Sequence, residues 1–286
     1  MSANDRWLTI SAVPDDELVE ARIQLHYSAQ LVAALGATLL PPAADDSHPN
    51  FGWSPEHQAL IGRPLVQIPV QAALKLADPS LLVLREDRIV ATIKLAGSTL
   101  LDARGALEQA LREEGVALPE GGLELPPYDL PSHALSQGAA FVPVSVPACE
   151  ALSRWYANAA RTIGSCITRV EPNASDLRCW PHHFDLATLI AEEVGADGIA
   201  KRTIGVGLSP GDGSYAEPYW YVSPWPYPDA GALPALPAGA RWHTEGFTAA
   251  VLTGSDLIAT GPSAEQSQRA SAFLYAAVAA SRQLLA

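Results

Sequence analysis

Two histidines and three carboxylates in the second half of the chain have types and spacings that could do chemistry. A β-strand turns successive side chains to opposite faces. If residues 182–187 are extended, His183 and Asp185 share one face. On a later strand, His243 and Glu245 share a face in the same way, and Glu217, Tyr219 and Tyr221 do so on the strand between. Three neighbouring strands with those faces inward would bring two imidazoles and up to three carboxylates together. Imidazole with carboxylate suits a divalent transition metal, and open positions would permit hydrolytic or oxygen chemistry. The predicted ligands are His183, Asp185, Glu217 and His243. Without a metal, Asp185 paired with His243, and Glu245 beside them, could supply general acid–base catalysis. No His-Glu-x-x-His or other established metal signature accompanies the set. The plainer alternative is side chain–backbone hydrogen bonding at strand ends.

Aromatic residues are dense in the same region. Trp180, Tyr219, Trp220, Tyr221, Trp225 and Trp242 are the candidate ligand-binding set, able to stack on a sugar, an aromatic ligand or a partner. Alternation separates Trp220 from Tyr219 and Tyr221, so part of the set must be core. The segment Gly207-Leu208-Ser209-Pro210-Gly211 has the G-x-S-x-G form of a nucleophile elbow. It fails as one, because the oxyanion hole needs the backbone N–H after the serine and Pro210 has none.

The elements that would position these residues repeat. Pro14 opens an apolar-periodic stretch with Ile23, Tyr27, Leu31 and Leu35 at four-residue steps. Pro147 opens another, with Leu152, Tyr156, Ala159, Ile163, Cys166 and Val170. Both predict amphipathic helices with Pro at the start and Glu in the first turn. Each is followed by a Trp-Pro-His corner: Trp53, Pro55 and His57, then Trp180, Pro181 and His183. Strands are predicted at 65–70, 73–77, 81–85 and 89–95, and again at 203–208, 217–222 and 241–252. Closing helices are predicted at 102–114 and 263–285. The fold class is α+β, two related halves of helix, antiparallel strands and helix with pseudo-twofold symmetry. The halves are 1–117 and 141–286, joined by a Pro/Gly-rich linker at 118–140. His57 matches His183, but Ala59 stands where Asp185 does, so any site is expected in the second half.

This order of elements, with Phe184-Asp185-Leu186-Ala187 after an amphipathic helix and the Tyr219-Trp220-Tyr221 strand, resembles an uncharacterised bacterial family known as a domain of unknown function. The resemblance implies an α+β fold and no established activity. His182 and His183 depart from it, so any role of theirs is not inherited.

Composition narrows the partners. The chain has 286 residues, 48% of them hydrophobic, and a net charge of −13. Both halves are acidic, which argues against nucleic acid and anionic membranes. No window approaches the roughly 20 apolar residues of a membrane span. Cys149, Cys166 and Cys179 fit no zinc or disulfide spacing and read as reduced thiols. With no basic–apolar leader, the expected location is cytoplasmic. Two functions follow: a small-ligand or metal-binding pocket in the second half, or a non-catalytic interaction or scaffold protein. Oligomeric state and cofactor are left open.

Overall fold

The computed structural model describes residues 6–196 and 198–286. The protein is α+β, with long helices and antiparallel strands. It divides into two compact units, and the division does not follow the halves read from the sequence. The amino-terminal unit comprises residues 13–153 and 179–184. The carboxy-terminal unit comprises the segment ending at Ala12, residues 154–178 and residues 185–286.

In the amino-terminal unit, α1 (Asp15–Leu39) follows Pro14, with Asp15, Asp16 and Glu17 in its first turn. Those carboxylates oppose the positive end of the helix dipole. The sequence predicts one buried stripe, yet α1 is buried on nearly all sides from Leu18 to Gly36. Its small residues, Ala21, Ala29, Ala33 and Ala34, allow close approach all round. Strands β1 (Phe51–Ser54), β2 (Ala59–Gly62), β3 (Val70–Lys75), β4 (Ser80–Arg85) and β5 (Arg88–Lys94) pair antiparallel in chain order. The predicted strand at 65–70 is instead an irregular segment, where Pro64 and Pro69 remove two ladder donors. The β1–β2 hairpin falls on the Trp-Pro-His corner itself. Helix α2 (Leu100–Glu113) starts on a capping box, with Thr99 and Asp102 bonding each other's backbone N–H.

Helix α3 (Val146–Ile163) starts in the amino-terminal unit and continues from Arg154 in the other. Short β6 (Arg178–Trp180) pairs with β1 through Cys179 and Phe51. Residues 181–184 then form a turn that ends on Phe184 at φ +56°. The turn corrects the reading of 182–184 as extended, while 185–187 are strand as expected. Pro181 starts the turn, and His183 does not lie on a strand with Asp185.

The carboxy-terminal unit carries β7 (Asp185–Val194), β8 (Ala200–Ser209), β9 (Tyr219–Trp225), β10 (Arg241–His243) and β11 (Ala249–Thr253). Their order is β7-β8-β9-β11-β10, all antiparallel. The predicted strand at 241–252 is two strands, broken by the turn at Gly246, φ +81°. Helices α4 (Gly254–Ile258) and α5 (Ser263–Leu285) close the unit, and α5 buries Leu274, Ala277, Val278 and Ser281. Among the described residues, no helix is long and apolar enough to cross a membrane. All three cysteines are buried.

Candidate functional site: a tyrosine layer on the sheet of the carboxy-terminal unit

Strand register assigns the aromatics to two faces. Leu208, Trp220 and Leu252 form one cross-strand row. Trp220 is fully buried on that face and stacks on Trp7 at 6.2 Å. Trp7 in turn donates from its indole Nε1 to Gln266 of α5 at 3.1 Å. Trp220 is therefore core, not a ligand wall. Trp242 donates to the carbonyl of Pro234 at 2.8 Å, tying the Pro-rich loop to β10. Trp180 belongs to the amino-terminal unit.

The opposite face carries Tyr219, Tyr221, Ser223 and Trp225. Beside them on β8 are Gly207 and Gly205. Tyr221 crosses β8 to reach the neighbouring strand, and its hydroxyl donates to Asp185 Oδ2. This reach needs Gly207: a Cβ there would lie 2.6 Å from the Tyr221 ring. Tyr219 donates to Asp212 Oδ2 at 2.6 Å. Burial, and then Asp212, push the Tyr219 phenol above its ordinary value. Asp212 Oδ1 accepts from the amides of Ser214 and Tyr215, which fixes the β8–β9 loop. That loop brings the Tyr215 hydroxyl to His243 Nδ1 at 3.1 Å. His243 Nε2 meets the Glu245 carbonyl at 2.7 Å. A carbonyl only accepts, so Nε2 carries the proton and Nδ1 accepts from Tyr215 when the ring is neutral. Phe247 stacks on His243 at 4.2 Å, and Tyr219, Ala249 and Val251 form a small core beneath.

The predicted metal set is dispersed over separate partners. Asp185 holds Tyr221. Glu217 accepts from the Ser255 amide at 2.5 Å and its hydroxyl at 2.8 Å, satisfying the start of α4. His243 is bound as above, and Glu245 lies in the β10–β11 turn rather than on a strand face. His183 sits in the other unit's turn. Among the described residues, no three His, Cys, Asp or Glu side chains come together as metal ligands. Ser209 ends β8 with its hydroxyl accepting from the Gly211 amide at 3.2 Å, and a loop follows, not a helix.

What the motif reading overlooked is β7. It places Leu189, 43% exposed, on the same face as Trp225, 53% exposed. Val194 and Ile199 at the β7–β8 connection and Tyr227 beyond β9 are also exposed. Val194, Ile199, Trp225 and Tyr227 lie towards one end of three hydrogen-bonded strands, and Leu189 is at the middle of β7. The signal in the sequence is the apolar alternation of Leu186, Thr188 and Ile190 with Ala187 and Leu189, which marks a strand apolar on both faces. Comparison with family models, curated proteins and solved structures finds no match to this chain.

Proposed function

We propose that this chain is a non-catalytic interaction protein. Its carboxy-terminal unit docks a protein partner on the exposed apolar surface of β7, β8 and β9. One observation carries the reading: Leu189, Val194, Ile199, Trp225 and Tyr227 are all exposed there. Contiguous apolar surface on a folded protein marks an interaction site more often than chance exposure does. The surface is built of strand and hairpin, and none of its five exposed residues lines either cavity described for the chain, which suits another protein better than a small molecule, whose sites are concave. The tyrosine layer supports the same reading. Its hydroxyls are each engaged by Asp185, Asp212 or His243, so it stiffens the platform. The net charge of −13 favours a partner with a basic rim around its apolar centre. A second reading keeps acid–base chemistry at Asp185, whose burial at 8% exposure is the observation in its favour.

The platform belongs to one copy of an internal repeat. Pro55-x-His57 and Pro181-x-His183 occupy equivalent turns, each closing on a positive-φ residue, Gln58 or Phe184. Thr99 with Asp102 and Thr253 with Asp256 each cap the start of a helix. The copies diverge at Ala59 and Asp185, and the tyrosine layer occurs only with Asp185. The protein acts in the cytoplasm, where its three thiols stay reduced.

Sedimentation over a wide concentration range discriminates the partner. A chain this acidic is expected to stay monomeric at low and moderate salt. A dimer abolished by Leu189→Glu would overturn the reading, because the platform would then serve a second copy.

A further inference from the structure

The amino-terminal unit contains a cavity that the tyrosine layer does not touch. Its volume is about 540 Å³, within the range of small-molecule sites. The ends of β3 and β5 line it with Lys75 and Lys94, α1 with Gln24 and Ser28, and residues 141–150 with Phe141, Val146 and Cys149. The carboxylates of Asp78 and Glu150 line it as well. Lys94 is paired with Asp78. Ser28 is spent on the Gln24 carbonyl and Gln24 Nε2 on Glu20. The Lys75 ammonium has no hydrogen-bond or ion-pair partner among the described residues, and the residue is partly buried in the cavity wall. Leu95, Phe141 and Val146 supply the apolar lining. Cys149 is no nucleophile there, because burial, and then Asp78, push its thiol up to about 11.

A free ammonium beside an apolar wall is complementary to a monoanion with a hydrocarbon body. Lys75 would supply a charge-assisted hydrogen bond, and Phe141 and Leu95 would take the apolar part out of water. We propose that this cavity binds a monocarboxylate of this kind, through Lys75, independently of the docking platform.

Octanoate is the probe, and octanol, of the same length but uncharged, is its control. Titration calorimetry on the whole chain is expected to show saturable octanoate binding. Lys75→Met should weaken it by at least about tenfold, with octanol little affected. Methyl resonances of Leu95 and Val146 should shift on binding. Melting of Lys75→Met should match the parent, because Lys75 holds nothing else. Equal affinity of parent and Lys75→Met would overturn the proposal. So would shifts confined to the separate apolar groove of Leu101 and Leu125, or no binding in a parent protein that melts normally.

Discussion

Gly207→Ala is expected to destabilise the carboxy-terminal unit by about 3 kcal/mol, more than Gly205→Ala on the same strand. Alanine is ordinarily the better strand residue, so the sign is opposite to propensity. The reason is the Tyr221 ring, whose Cζ, Oη and Cε1 lie 2.6–2.7 Å from the position of the new methyl group. The ring must leave, and with it goes the hydroxyl that donates to Asp185. Overpacking costs about 1–3 kcal/mol, and a hydrogen bond to a carboxylate contributes a similar amount. The glycine's own loss of chain entropy offsets part of this. A double-mutant cycle with Tyr221→Leu checks the mechanism by urea unfolding. The shorter side chain removes the clash, so the pair should cost less than the sum of the two singles. Strict additivity would mean that Gly207 matters for some other reason.

Acid is expected to weaken the amino-terminal unit in a defined window. His26 is buried on α1, with Nε2 donating to the Pro181 carbonyl at 2.8 Å and its ring stacked on Phe184 at 5.2 Å. Gln30 donates to the same carbonyl at 2.8 Å. The imidazole therefore pins the turn at 181–184 while neutral. Burial holds it down to about 4, against 6.5 in the open chain, despite the favourable Pro181 contact. Burial, followed by the charge of His183, also lowers His182 to about 4. Above pH 6.5 both states of His26 are neutral and nothing is lost. Between 6.5 and 4 the unfolded chain takes up the proton and the folded chain does not, so stability falls as pH falls. For His26 the full loss is about 3 kcal/mol; the more exposed His182 adds less. Unfolding at about pH 7 and about pH 4.5 checks this. His26→Gln should flatten the dependence by one proton, and an unchanged slope would refute the assignment.

The parts legible in the sequence are those governed by local periodicity. Helix α5 has the predicted bounds, and α1 follows Pro14, because apolar spacing and proline determine a helix within its own residues. The turns were harder. Whether residues 182–184 extend or fold back depends on the Phe184 backbone at φ +56° and on the distant His26 and Gln30, which no local pattern reveals. The break at Gly246 separated His243 from Glu245 for a similar reason. Of the candidate site, the residues were visible and their pairing was not. Asp185 meets Tyr221 only because Gly207 is bare, a three-strand relation that alternation cannot express. The apolar platform was hidden because β7 looks like a fully buried strand, and burial is a property of the fold.

On the proposed function, the polar cluster builds the platform and the apolar surface does the binding. Affinity retention of partner protein by immobilised chain, quantified alongside melting for two variants, tests it most directly. Leu189→Glu with Trp225→Glu should abolish stoichiometric retention of a salt-sensitive partner and leave melting unchanged. Asp185→Asn should lower melting and retain the partner below that transition. Loss of the partner on Asp185→Asn with Leu189→Glu and Trp225→Glu silent would contradict the account, and would return the function to the carboxylate.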